Sequence, residues 1–407
     1  MRVILLHYSA PPVIGGVENV IRYQATGLVA AGYDVHVVAG RGEAFAPGVT
    51  FHHVPQVDSR HPDVLALKAA LDQGRYPAAC FEALVAQIRR ALARLTGPQD
   101  VLIAHNVLSL HKNLALTAAL HALAAHPGAP RIIAWHHDLA WQAARYADEM
   151  HAGYPWDLAR TPLPGAVHVA VSAARREAVA ALFGLPPEAI HVIPGGVDSL
   201  ALLGIGDETR QWAEAVGLWG GRPLLLLPAR ITRRKNIELA LRVVAALRGG
   251  PLTDAALVIT GPPGPHNPEN QRYYAELLAL RDALGLGGAA HFVAEHLPDG
   301  ASDRMVRDLY RLADALIFPS FEEGFGLPIL EAGIARLPIF CANIPALAEL
   351  AGDQAHLFPP EGDPAAIAAL IARVLATDTA YQLRARVIGE YDWRNIIREK
   401  LVPLLEA

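Results

Sequence analysis

A chain of 407 residues, 52% of them hydrophobic, is too long for one ordinary core and long enough for two. Its formal net charge of −5 argues against a dedicated nucleic-acid binder, which carries a basic excess. Two cysteines, Cys80 and Cys341, lie far apart and without metal-ligand spacing, which excludes a disulfide framework and fits a reducing cytoplasm.

Residues 3–6 read as a buried strand, too short for a signal-peptide core. Gly15 and Gly16 make a turn, and Val17, Val20, Ile21, Gln24 and Leu28 mark one helical stripe that Gly32 can end. With the next strand at 35–38, this is the βαβ unit of a parallel sheet. Further strands are expected at 101–104, 131–134 and 167–171, with helices over 78–95 and 113–124. The longest apolar stretch, 114–125, is interrupted by Thr117 and His121 and falls short of a membrane-spanning helix. The protein is therefore expected to be soluble.

A second series of strands follows Pro194-Gly195-Gly196: 224–227, 256–259, 290–293, 315–318 and 338–341, with helices at 237–247 and 273–284 between them. The chain reads as two α/β halves. Open parallel sheets take ligands beyond the carboxyl ends of their strands, so a cleft between the halves is the expected site.

Two segments carry chemistry. The first is Glu323-Gly-Phe-Gly-Leu-Pro-Ile-Leu-Glu331, after the strand at 315–318. Pro328 suits a first helical turn, where its missing N–H costs nothing. Gly324 and Gly326 let backbone approach a ligand, and the free N–H groups of Phe325, Gly326 and Leu327 suit an anion at a helix start. Glu323 and Glu331 can accept from paired hydroxyls, as on a sugar and a ribose. Read blandly, the same segment is a loop-to-helix turn with two solvated acids. The second segment is Arg230-Ile-Thr-Arg-Arg-Lys235, after the strand at 224–227. Only four residues of the chain are lysine, so Lys235 stands out. Arg230 and Lys235 can neutralise a departing diphosphate. Arg233 and Arg234 read as solvated turn residues.

Taken together these residues resemble glycosyltransferase family 4, the retaining group on the GT-B fold, over essentially the whole chain and most densely over 222–363. The family's two glutamates match Glu323 and Glu331. Its Arg and Lys match Arg230 and Lys235, and its glycine pair with a following acid matches Gly15, Gly16 and Glu18. The resemblance implies two Rossmann-like domains facing across a cleft. Residues 1–194 would bind acceptor, completed by a C-terminal helix at about 391–407, and residues 195–390 would bind the nucleotide sugar. It implies donor contacts from Gly15, Gly16, Arg230, Lys235, Glu323, Gly324, Phe325, Gly326, Leu327 and Glu331, with Gly16 and the basic pair on phosphate. It also implies no metal and no cofactor beyond the donor, and transfer of a hexose from a UDP- or GDP-sugar with retention at the anomeric carbon. Two departures are Tyr33 where the family often has His, and Ala229 where it often has Gly.

Other segments bear on the acceptor. In Trp135-His136-His137-Asp138, the family's His-Asp pair puts His137 against donor or acceptor with Asp138 orienting it; His105 is a second candidate of the same kind. These residues lack the spacing of a zinc site. Residues 141–164 hold Trp141, Tyr146, Tyr154, Trp156, Arg145 and Arg160, which either seat a sugar or an anion or merely pack. The helix at 78–95 ends in Arg89, Arg90 and Arg94, so a peripheral membrane contact competes with ordinary helix-dipole compensation. The loop at 261–270 either shapes donor choice or is a tolerated insertion. The expected partners are a nucleotide sugar and a carbohydrate, lipid-linked or small-molecule acceptor, with no nucleic acid, in the cytoplasm. Competing readings are a nucleotide-sugar epimerase or sugar phosphorylase on the same fold, and a non-catalytic nucleotide-sugar-binding subunit.

Overall fold

The computed structural model describes residues 1–220, 222–264 and 268–407. Contacts divide the chain into two compact units, Met1–Val197 with Glu390–Ala407, and Asp198–Gly389.

Unit 1 is built on seven parallel strands: β1 (Arg2–His7), β2 (Asp34–Ala39), β3 (Val49–His53), β4 (Val101–His105), β5 (Arg131–His136), β6 (Val167–Ala170) and β7 (Ile190–Val192). Their order is β3-β2-β1-β4-β5-β6-β7. Side chains alternate across the sheet, as a strand requires. Ile4 and Leu6 of β1 face a core with helices α2 (Pro62–Leu71), α3 (Ala78–Leu95) and α4 (Leu114–Ala124), whereas Val3 and Leu5 face α1 (Gly16–Ala30). On the β7 side, α5 (Ala173–Phe183) packs through Val179, Ala180 and Phe183. The apolar face of α3, Phe81, Leu84, Val85, Ile88 and Leu92, is spent inside this unit, so it is not free to enter a lipid surface.

Unit 2 has six parallel strands: β8 (Leu224–Leu227), β9 (Ala256–Ile259), β10 (Ala290–Phe292), β11 (Ala315–Phe318), β12 (Ile339–Ala342) and β13 (His356–Phe358), in the order β10-β9-β8-β11-β12-β13. The short helices α6 (Ser199–Leu202) and α7 (Asp207–Ala215) lead in. Helices α8 (Ile237–Arg248), α9 (Glu269–Ala283), α10 (Asp303–Leu312), α11 (Leu327–Ile334) and α12 (Pro345–Ala351) connect the strands, and α13 (Pro364–Thr377) and α14 (Thr379–Glu390) follow. Each sheet runs outward from its first strand and then jumps back beside it, between β1 and β4 in unit 1 and between β8 and β11 in unit 2. At such a reversal the connections leave in opposite directions and open a crevice at the strands' carboxyl ends.

The chain's end closes unit 1. After a bridge between Val197 and Asp392, α15 (Trp393–Ile396), a π-helical turn (Ile397–Leu401) and α16 (Val402–Glu406) lie on the α1 side of the sheet. Trp393 stacks on Tyr23 at 5.7 Å, and Arg131 donates to the carbonyls of Leu404 and Leu405 at 2.9 and 3.0 Å. Gly27 admits Ile397, since a Cβ there would lie 2.0 Å from its Cδ1. Among the described residues, no helix is long and apolar enough to cross a membrane. Leu401 is fully buried at this seam, so Leu401→Ala should cost about 2–5 kcal/mol, read as a lowered midpoint in urea unfolding.

Candidate active site

In unit 2 both chemistry-bearing segments leave the strands that flank the reversal. The turn 228–236 follows β8 and the turn 319–326 follows β11, and these strands pair through Ala315 with Leu225 and Leu316 with Leu226. Lys235 and Glu323 meet there in a very short ion pair, with side chains 9% and 8% exposed. Burial alone would make either charge costly; each is tolerated because the other is present. Desolvation lowers the Lys235 pKa and the Glu323 carboxylate opposes that shift. The ammonium also sits 4.9 Å from the centre of the Phe318 ring.

Asn236 holds the two turns together. It takes the left-handed conformation (φ 52°), which Asn tolerates better than most residues. Its side-chain amide donates to the carbonyls of Pro319 at 3.1 Å and Pro360 at 2.8 Å. The N–H of Phe321 donates to the Arg234 carbonyl at 2.8 Å. Arg234 is exposed, as its sequence setting suggests, yet it is engaged: its guanidinium donates to the Glu322 carbonyl at 3.1 Å and the Glu323 carboxylate at 3.2 Å. Arg233 does turn outward, pairing with Glu276 at 2.7 Å. Arg230 is exposed and has no side-chain partner among the described residues. The loop after β9 is laced to the Arg230 turn. Gly261 donates to Ala229, and a Cβ at Gly261 would lie 2.4 Å from that carbonyl oxygen. Residues 265–267 of this loop lie outside the described residues.

Helix α11 starts at Gly326, whose φ of 105° belongs to the region glycine favours; a Cβ there would also lie 2.6 Å from Leu347. Pro328 occupies the first turn. The Ile329 N–H donates to the Gly326 carbonyl at 3.0 Å, but the N–H groups of Phe325, Gly326 and Leu327 have no acceptor among the described residues, and Gly324 has open space where a Cβ would be. An anion can be taken up there. Glu331 lies one turn further on, exposed, and accepts a hydrogen bond from Tyr310 of α10 at 2.6 Å.

Unit 1 presents a second set at its own reversal. Gly15 and Gly16 open α1 without a side-chain cap, and Gly16 is exposed with nothing within 4 Å of a built Cβ. Glu18 ties this turn to the end of β1 by accepting from Ser9 at 2.5 Å. At the ends of β1, β4 and β5 stand three imidazoles. His7 donates through Nδ1 to the His105 carbonyl at 2.8 Å, and His105 Nδ1 lies 3.3 Å from His137 Nε2. Among the described residues no hydrogen bond joins the Asp138 carboxylate to the His137 ring. Its carboxylate accepts from Asn106 at 3.1 Å, while Asn106 accepts from the N–H groups of His137 and Asp138 at 3.2 and 2.8 Å. His105 is within hydrogen-bond distance of the ring, and the charge of Asp138 also acts on it. Asn106 follows the candidate His105 directly, whereas His7 is a site residue that sequence reasoning passes over, because it carries no motif.

Beside His137, Asp138, Arg145 and Arg175 line a crevice of about 440 Å³. In the segment 141–164 the packing reading holds for Arg160, which lies 4.0 Å over the Trp141 ring and pairs with Asp157. Among the described residues one cluster has metal-ligand types within reach, Asp72, His111 and Glu149. Lys68 already bridges its two carboxylates, at 2.6 Å from each, so the centre is occupied by an ammonium.

Residues 14–199 match the family described as Glycosyltransferase Family 4, and residues 208–390 match Glycosyl transferases group 1. The chain belongs to the GT-B-fold glycosyltransferase superfamily. It is 26% identical to an MMP alpha-(1->4)-mannosyltransferase of Mycolicibacterium hassiacum, over 100% of this chain and 98% of that one. It is 26% identical to a glycogen synthase of Mycobacterium tuberculosis, over 97% and 92%. A D-inositol 3-phosphate glycosyltransferase of Acidothermus cellulolyticus is 31% identical over 224 residues, a match spanning 53% of this glycosyltransferase and 48% of that relative.

Burial lowers the pKa of His137 to about 4 and that of His168 to about 4, and lowers His105 and His136 well below the ordinary value. The folded protein therefore holds neutral rings, whereas the unfolded chain takes up protons near 6.5. A depressed histidine leaves stability intact above 6.5 and removes it as pH falls toward the folded value. The melting temperature should drop between pH 6.5 and 4. His137→Gln should flatten that slope, by up to roughly 3 kcal/mol at the acid end.

Proposed function

We propose that this glycosyltransferase is a retaining, metal-independent hexosyltransferase that uses a UDP- or GDP-sugar. The observation that carries the reading is the meeting of Lys235, Arg234 and Glu323 beside the open amides of α11. Cations and helix amides receive a diphosphate, and the adjoining carboxylate accepts from sugar hydroxyls. Arg230, exposed and without a side-chain partner among the described residues, can fork onto phosphate oxygens. Unit 1 offers the acceptor side, with the neutral His137 imidazole as a hydrogen-bonding group and Arg145 and Arg175 in the crevice beside it.

In the reaction the bond from the anomeric carbon to the diphosphate breaks. A bond to an acceptor hydroxyl oxygen forms on the same face, and the hydroxyl proton passes to the departing diphosphate. Positive charge fixed in advance at the leaving group lowers the barrier. With Arg230, Lys235 and the α11 amides in that role, the chemistry requires no divalent ion. Full-length similarity to the mannosyltransferase and the glycogen synthase supports transfer to a sugar acceptor over a phosphorylase or an epimerase.

A panel of nucleoside diphosphates without added metal tests the donor site. The cognate one, at about a hundred times its dissociation constant, should stabilise the protein by roughly 2.7 kcal/mol, and stabilisation by none of them refutes the reading. Lys235→Ala should lower kcat by about 10²–10³ at saturating donor, with EDTA leaving the parent enzyme unaffected. The variant's melting temperature belongs beside its rate, because the buried Glu323 carboxylate is left with Arg234 as its one remaining cation among the described residues.

A further inference from the structure

Glu331 is exposed on α11, and a glutamate in that position ordinarily samples many rotamers. Here one of its oxygens is engaged. The phenol of Tyr310, one helix away on α10, donates to Glu331 Oε2 at 2.6 Å. Tyr310 itself is 6% exposed, so its ring is fixed by packing and only its hydroxyl reaches the surface carboxylate. Burial, and then the Glu331 bond and charge, push the phenol pKa far up, so it remains a donor at any working pH. The two residues line a groove of about 680 Å³ between α10 and α11, together with Arg307 and Arg311. Arg311 is turned to Asp308 at 3.3 Å, and Arg307 is exposed. An untethered Glu331 would share this groove with both cations.

We propose that Tyr310 is a positioning residue for ribose recognition: it holds the Glu331 carboxylate so that the other oxygen and the remaining lone pairs accept from the vicinal ribose hydroxyls of the donor. This rests on the donor-site reading above, in which Glu331 is the ribose ligand. A carboxylate has about four acceptor positions, so one donor from the protein leaves room for a diol. Fixing the side chain before the ligand arrives removes the ordering cost from binding. Tyr310 touches no ligand in this scheme, and its effect passes entirely through Glu331.

The test compares the nucleoside diphosphate that stabilises the parent protein with its 2′,3′-dideoxy counterpart, by calorimetric titration of the full chain. Tyr310→Phe should weaken the ribonucleotide about three- to tenfold and leave the dideoxy compound within twofold. Glu331→Gln should weaken the ribonucleotide more, and the double variant should be no worse than Glu331→Gln. Equal weakening of both ligands by Tyr310→Phe, or no weakening of either, overturns the positioning role. Undiminished ribose discrimination in Glu331→Gln overturns it at its premise. Failure of the parent to bind any nucleoside diphosphate removes the donor-site reading itself, and is told apart from the other failures by the parent titration alone.

Discussion

The ammonium of Lys235 against the carboxylate of Glu323 is the interaction on which the arrangement of unit 2 turns. Two charges taken out of water are costly, and only close pairing offsets that cost. The pair therefore demands that the turn after β8 and the turn after β11 lie in one register. The parallel pairing of those strands brings the turns near, and Asn236 fastens one to the carbonyls of the other. Everything else at this end of the sheet follows from that register. Arg234 reaches Glu323 from the surface, α11 starts from the left-handed Gly326, and Glu331 falls opposite Tyr310.

Unit 1 solves a different problem with the same topology. Its strand ends carry imidazoles instead of a salt bridge, and their burial keeps them uncharged. A neutral ring donates from one nitrogen and accepts at the other, so hydrogen bonds can be directed without adding charge. Asn106 is the organising residue. With φ at 62° it accepts from the backbone of His137 and Asp138 and donates to the Asp138 carboxylate. The acid is thereby hydrogen-bonded to the loop and acts on the ring through its charge.

Much of the fold is legible in the residues, for a simple reason. Strands buried on both faces are continuous apolar runs, so Leu224–Leu227, Ala256–Ile259 and Ala315–Phe318 are read with their observed bounds. The helix Ala78–Leu95 is read to the residue from its stripe. Three of the four edge strands escape, β10 being the exception. Val49–His53 alternates with Thr50 and two histidines, and Ile190–Val192 and His356–Phe358 are three residues each. Such segments are strands because a neighbour supplies a ladder, and that is tertiary information. The site divides in the same way. Glu323 and Lys235 announce themselves by type and position, whereas Arg234, Asn236, His7 and Tyr310 matter only through partners tens of residues away.

The return of the chain's end to unit 1 has a consequence for how the protein comes into being. The α1 side of the first sheet keeps Ile21, Ala25 and Leu28 covered, but part of that cover is Ile396, Ile397 and Leu401. A ribosome delivers these only after unit 2. The whole of Asp198–Gly389 emerges before the segment that completes Met1–Val197. Unit 2 is contiguous in the chain and can close as soon as it is made, whereas unit 1 waits with an apolar face exposed until residues 390–407 have followed. The order of completion is thus the reverse of the order of synthesis, and the nascent first domain is the stretch most in need of a chaperone's cover.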